Sequence, residues 1–384
     1  MPRLINLTQE ALTLIALYLD EDEQDRLISI LIKTLNLNLH GQVKQLTRLL
    51  PILEKIPELK PIIISYLTIT RLTGGLTNET LKISFSVKEK EISRILRIVR
   101  QTFKLIDREA ERFNASEAGE LGLNASIRWQ NEGAQLSEFL YDTIPLDHLP
   151  IEPYLRSVAN MLTTLHRSTR VFRNVVNLFE RNLQWYNEAK KINEWSEEEL
   201  AIFQQINQQM IQLETVFNRY PFTQASCHLD PNPGNFLFFP ANEGNQGRLI
   251  DWEYAGVAPR DYDSTYFCIY ANLTSDQIKL FLEYCYPDEL YETAYDRYLF
   301  FNPIALYWSS LWFFVFKSFQ PNEKQAEFQM LANQYLRDTK NSLQNEEFQL
   351  AMQRLSRRYL PENQGVSDQK EDEDIAPSRI LTTS

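Results

Sequence analysis

The sequence predicts an α+β fold in two unequal lobes, a small antiparallel β-sheet lobe and a larger, mostly helical one, with an extra helical region ahead of both. Three observations carry this expectation. Stretches rich in β-branched residues, or alternating with period two, gather between residues 61 and 140. After residue 141 apolar residues recur mostly at helical spacing. Inside that helical half, Phe236-Leu237-Phe238-Phe239 and Leu249-Ile250 flank the turn-forming cluster Asn242-Glu243-Gly244-Asn245-Gln246-Gly247, which reads as a hairpin.

The chain of 384 residues exceeds one typical domain, and its 43% apolar content is enough for a sizeable core. A formal charge of −12 argues against a nucleic-acid partner, whose phosphates it would repel. The three cysteines, Cys227, Cys268 and Cys285, are too scattered for a disulfide framework or a zinc site, and read as reduced thiols in a cytoplasmic setting. The start of the chain has no secretory pattern, and the most apolar stretch, Pro303 to Phe316, is too short to span a bilayer, so a soluble protein is expected.

Residues 1–60 read as a helical extension, with Leu12, Ile15, Leu27, Ile28 and Leu31 at helical spacing. The small lobe, 61–140, begins with Ile62 to Ile69, followed by Leu72-Thr73-Gly74-Gly75-Leu76-Thr77-Asn78 and the alternating strand Thr80 to Val87. A Gly-Gly hairpin of this kind allows the backbone to lie close to a phosphate chain. Arg94 to Arg100 is the next strand. A helix opens near Ile106, carries Glu111 and stops near Gly122. Ser126 to Gln130 and Gly133 to Leu140 complete the sheet and cross to the second lobe, 141–360. There Val158 to His166 is an amphipathic helix with His166 as a packing or capping residue, and 174–220 is helical. The tail, 361–384, with Glu371-Asp372-Glu373-Asp374, reads as disordered.

The chemistry concentrates in Cys227-His228-Leu229-Asp230-Pro231-Asn232-Pro233-Gly234-Asn235 and in Leu249-Ile250-Asp251-Trp252-Glu253-Tyr254. The hairpin places Asn235 at the start of one strand and Asp251 at the end of the other, with Asp230 on the loop before them. Oxygen ligands brought side by side in this way suit a hard cation such as Mg2+ that also holds phosphate oxygens. His-x-Asp-x-x-x-x-Asn followed by a strand ending in Asp is the layout of protein-kinase-like phosphotransferases. In that layout Asp230 takes the proton of the attacking hydroxyl, Asn235 and Asp251 hold the metal, and a cation on the third strand, Arg97, pairs with Glu111 of the following helix to orient phosphate.

These segments occur in the order seen in the choline/ethanolamine kinases, including their bacterial choline kinase-like branch, from about residue 63 to 320, and the chain resembles that family within the aminoglycoside phosphotransferase-like group. The resemblance implies a protein-kinase-like fold, ATP and Mg2+ as cofactors, and a small cationic amino alcohol as substrate, choline first or ethanolamine. It implies Asp230 as catalytic base, Asn235 and Asp251 as metal ligands, Gly74, Gly75, Thr77, Asn78, Arg97 and Glu111 on the nucleotide, and adenine against the crossing segment. A quaternary ammonium cannot be hydrogen-bonded and is held by aromatic faces and carboxylates. Tyr254, Trp308 and Trp312, with Trp252, Tyr262 and Tyr266, could supply such a cage, and Glu253 and Asp263 its negative charge. Two alternatives stand beside this reading: a related phosphotransferase for another small alcohol or an aminoglycoside, and a catalytically inactive binding protein on the same fold.

Overall fold

The structure is a computed structural model that describes residues 48–60, 67–72, 77–100, 104–145, 148–239 and 247–357. The expected helices before residue 48, the Gly74-Gly75 turn, the hairpin tip and the acidic tail lie outside the described residues.

The small lobe is a five-stranded antiparallel sheet in the order β1-β2-β3-β5-β4, built from β1 (Thr68–Arg71), β2 (Asn78–Val87), β3 (Lys90–Val99), β4 (Ile127–Gln130) and β5 (Ala134–Glu138). Alternation sends Leu81, Ile83 and Phe85 of β2 to one face, where they meet Leu96 and Leu136. A sheet with one apolar face needs a cover. Leu49, Leu53, Ile56 and Leu59 provide it, held by ion pairs from Arg48 to Glu79 at 2.7 Å and from Arg94 to Glu58 at 2.5 Å. The end of the expected N-terminal extension therefore belongs to the small lobe. The sequence signal was helical, but the partner of that apolar face was invisible to it.

Helix α1 (Arg108–Glu120) is capped by Asp107, which accepts from the amides of Glu109 and Ala110 at 3.0 Å. It ends at Gly122, whose φ of +70° is the left-handed conformation glycine adopts without strain. Glu111 and Asn114 lie on its buried face. Asn114 donates to the Ala255 carbonyl at 2.8 Å, which fastens α1 to the large lobe.

The large lobe comprises α2 (Ile151–His166), α3 (Leu178–Ile192), α4 (Glu197–Phe217), α5 (Arg260–Tyr270), α6 (Ser275–Cys285), α7 (Tyr291–Lys317), α8 (Asn322–Gln344) and α9 (Glu346–Arg357). Two small antiparallel pairs sit among them: β6 (Gln224–Cys227) with β9 (Gly256–Pro259), and β7 (Phe236–Leu237) with β8 (Arg248–Leu249). The apolar stretch around Pro303 is part of a longer helix than expected. By length and composition α7 alone among the described helices could cross a membrane, yet 83% of its apolar window is buried inside the fold. Phe300, Phe301, Ile304, Leu311 and Phe314 make it the axis of the core.

Candidate active site

Asp230 stands on a loop held from below. Leu229, just before it, has φ +64° although it carries a side chain, a conformation that persists only where surrounding bonds impose it. Those bonds come from Asp263 on α5, fully buried: its carboxylate accepts the amides of His228 at 2.9 Å and Leu229 at 2.8 Å, and His166 Nε2 at 2.9 Å. The ring of His228 reaches the Ile250 carbonyl at 2.9 Å and so ties the loop to the residue before Asp251. Asn232 accepts from the Gly234 amide at 3.0 Å and caps the turn Pro233–Asn235. Asn235 Nδ2 donates to the Asp230 carbonyl at 2.9 Å and to its carboxylate at 3.3 Å. With its amide hydrogens so used, the Asn235 side-chain oxygen is the atom left to ligate. The Ile250 amide donates to the Asn235 carbonyl at 2.9 Å, the bond that closes the short β7–β8 hairpin around the site.

Asp251, also at positive φ (+69°), faces the small lobe. Its carboxylate pairs with Arg97 of β3, and the same guanidinium pairs with Glu111 of α1 and lies 3.2 Å from Glu253. The expected Arg97–Glu111 pair is thus formed. Arg97 costs energy to bury, but the charges of Asp251, Glu111 and Glu253 hold it firmly protonated, above the usual arginine range. Arg108, one helical turn before Glu111, bonds it at 2.8 Å and reaches Glu253 at 3.2 Å. Burial and the neighbouring Asp251 push the Asp230 carboxyl up to about 7, held back by bonds from Asn232, Tyr266 and Asn235. The Asn235 side-chain oxygen and the Asp251 carboxylate are hard oxygen donors, a chemistry that fits Mg2+. A second cluster, His166, Cys227 and Asp263, brings three potential ligands together. Its carboxylate is already engaged by the amides of His228 and Leu229, and a thiol and an imidazole do not suit a hard cation.

The choline/ethanolamine kinase family model matches residues 69–349. The chain belongs to that family. Among curated relatives, the protein LicA of Haemophilus influenzae is 28% identical over 223 residues, a match that spans 55% of this chain and 61% of LicA. The crystal structure of a choline/ethanolamine kinase family protein from Mesorhizobium loti superposes with a TM-score of 0.62 at 19% identity, covering 80% of this chain and 97% of that one. The Plasmodium vivax ethanolamine kinase superposes with a TM-score of 0.65 at 15% identity, covering 88% and 98%. These likenesses establish the two-lobed, kinase-like fold.

Within this choline/ethanolamine kinase fold, the residues expected around a substrate ammonium separate into two groups. Tyr254 and Trp312 come together, Trp312 Nε1 donating to the Tyr254 hydroxyl at 2.9 Å, and Trp308 packs against Tyr254 with ring centroids 5.3 Å apart. Glu253 does not join them. It accepts from Thr77 at 2.7 Å and Asn78 at 3.0 Å, beside Arg97 and Arg108, and so belongs to the seam between the lobes. Thr77 and Asn78, expected on the nucleotide, accordingly turn their side chains to Glu253. Asp263 is the support beneath the loop, with both oxygens occupied. Trp252 is buried against His228 and Phe172, and donates to the Leu249 carbonyl. Each of these placements has the same cause: a motif records which residues are near in the chain, while the side a residue faces depends on partners far away. Asp263→Ala is therefore expected to lower stability by about 3 kcal/mol, with kcat falling as the loop loses its seat. A thermal melt beside steady-state kinetics checks it; an unchanged melt with a raised amine KM would return Asp263 to the substrate.

Sequence reasoning assigned no role to Arg108, Tyr270 or Arg181. The i, i+3 spacing of Arg108 and Glu111 was a usable signal. Tyr270 stacks on Tyr266 at 4.5 Å, and the i, i+4 spacing of the pair on one helix was equally readable. Nothing local singles out Arg181. His166, read as a packing residue, is part of the support under Asp230.

Proposed function

We propose that this protein transfers the γ-phosphoryl group of ATP to the hydroxyl of a small amino alcohol of the choline or ethanolamine type. The observation that carries the reading is the convergence of Asp230, Asn235 and Asp251 on one short hairpin, facing the Arg97–Glu111 pair across the seam between the lobes. Membership of the choline/ethanolamine kinase family supports the acceptor class. So does a Streptococcus pneumoniae structure described as choline kinase LicA, similar in fold at a TM-score of 0.59.

In this reading Arg97, held by its carboxylate partners, places positive charge at the seam where the phosphates would lie. Asn235 and Asp251 would hold Mg2+, which supplies charge neutralisation on the phosphate oxygens. Asp230 orients the acceptor hydroxyl and takes its proton. Thr77 and Asn78 would border the nucleotide from the small lobe, their side chains anchored on Glu253. The test is phosphate transfer from labelled ATP across a panel of choline, ethanolamine and aminoglycosides. Phosphorylated amino alcohol is the expected product; transfer only to aminoglycosides, or none, overturns the reading.

The aromatic side makes its own prediction. Trp312→Leu keeps apolar character but removes the π face and the bond to Tyr254, so KM for the amino alcohol should rise about fivefold or more with KM for ATP unchanged. Kinetics and a thermal melt of the variant decide: a lowered melt with unchanged KM values would make Trp312 a core residue only.

A further inference from the structure

A cavity of about 250 Å³ opens where the end of α1, one face of α2 and β8 meet, and its described lining shares no residue with the site around Asp230. Ser157, Asn160, Met161 and Thr164 recur at i, i+3, i+4 and i+7, so a single stripe of α2 faces the opening. Leu123 and Met161 are buried at its base, while Asn160 and Thr164 stand exposed at its rim, so the opening reaches solvent. Arg248 of β8 is half-buried and is the single charged residue of the described lining. Its Nη1 donates to the Gly247 carbonyl at 3.1 Å and its guanidinium lies 5.9 Å from the Phe239 ring; no carboxylate among the described residues pairs with it.

A cavity of this size holds several waters or one small organic molecule. A positive charge in its wall without a counter-charge favours an anion. The Arg248 guanidinium, the Asn160 carboxamide and the Thr164 hydroxyl are three separate donors around the opening. Three donors suit the oxygens of a phosphate monoester better than the planar pair of a carboxylate.

An occupant here also bears on the reacting centre. The Leu249 amide donates to the Leu123 carbonyl at 2.6 Å, so the cavity wall is itself a bond between the turn after α1 and β8. Beyond β8 comes Ile250, whose amide holds the Asn235 carbonyl and whose carbonyl meets His228, and then Asp251. Helix α1 carries Glu111, the partner of Arg97. A ligand spanning the end of α1, α2 and β8 therefore favours the arrangement in which Arg97 meets both Glu111 and Asp251.

We propose that this cavity is an effector site for a small phosphate monoester, which binds Arg248, Asn160 and Thr164 and raises the affinity of the reacting centre for Mg-nucleotide. The effector role rests on the phosphotransfer reading above; the binding site does not.

The experiment titrates sn-glycerol 3-phosphate into the full chain by calorimetry, with succinate as a carboxylate of similar size. One glycerol phosphate per chain is expected, bound at least about tenfold more tightly than succinate. Arg248→Gln should weaken it by about tenfold or more, and Thr164→Trp, which fills the opening from the exposed side of α2, should abolish it. If Arg248→Gln does not fold, Thr164→Trp decides. No binding to the wild type, tighter binding of succinate, or binding unchanged in a folded variant overturns the site. Mg-ADP is then titrated with and without glycerol phosphate. Its affinity should rise about fivefold with glycerol phosphate present, a gain that Arg248→Gln loses. Unchanged or lowered affinity overturns the effector role. If Mg-ADP does not bind and no alcohol is phosphorylated, the phosphotransfer reading fails, while binding of glycerol phosphate that depends on Arg248 still upholds the site.

Discussion

Asp251→Ala is expected to reduce phosphoryl transfer by on the order of a thousandfold or more. Asp251 is the carboxylate of the proposed metal pair, and Asn235 alone offers one neutral oxygen, too weak a site for a hard dication. The loss should appear as a steep rise in the Mg2+ needed for half-maximal activity together with weakened nucleotide binding. The fold should survive, because Arg97 keeps Glu111 and Glu253 when Asp251 is gone. Asp251→Asn is the companion variant: asparagine tolerates the φ of +69° at this position better than alanine does, so its loss of activity isolates the charge from the backbone. Magnesium titrations of turnover, with a melt of each variant, check this. Near-normal turnover at ordinary Mg2+ in either variant would remove Asp251 from the metal site.

Asp230→Asn should lower kcat by about a hundredfold to ten-thousandfold with the KM for ATP little changed, since the lost group acts on the acceptor proton in the transition state. The same substitution should make the metal-free protein more stable in mild alkali. Burial and Asp251 raise the folded-state Asp230 carboxyl to about 7, against roughly 3.9 in an unfolded chain. The folded protein thus binds more protons in that window, and stability is lost as pH rises from about 4 to about 7, with the full cost present above it. Asparagine never ionises and avoids the cost. The melting temperature of Asp230→Asn in EDTA should exceed wild type by several degrees at pH 8, with a gap that shrinks toward pH 5. A variant that keeps its rate at saturation, or melts below wild type at pH 8, would assign Asp230 another role. Activity opposing stability at one carboxylate is what a buried catalytic base entails.

Much of this site was legible because its members are close in the chain. Asp230, Asn235 and Asp251 are joined by one hairpin, so turn chemistry and apolar runs sufficed to place them together. Arg97 and Glu111 follow from a strand leading directly into a capped helix. The order of strands and helices, read from periodicity, likewise led to the two-lobed fold.

Where a side chain faces across the molecule was settled only in three dimensions. Glu253 is two residues from Asp251, yet its partners Thr77 and Asn78 arrive from the other lobe and turn it away from the aromatic side. Asp263 resembles a substrate carboxylate in sequence, but the amides of His228 and Leu229 converge on it and leave it no free oxygen. The cover of the small sheet by Leu49, Leu53, Ile56 and Leu59, and the seat of Arg181 on Trp308, join segments with no local pattern in common. Periodicity and spacing are properties of neighbours along a chain. Burial of a charge is decided by whichever distant groups can satisfy it, so the sequence by itself determined the two lobes and the grouping of Asp230, Asn235 and Asp251, while packing decided which surrounding charges the fold itself uses.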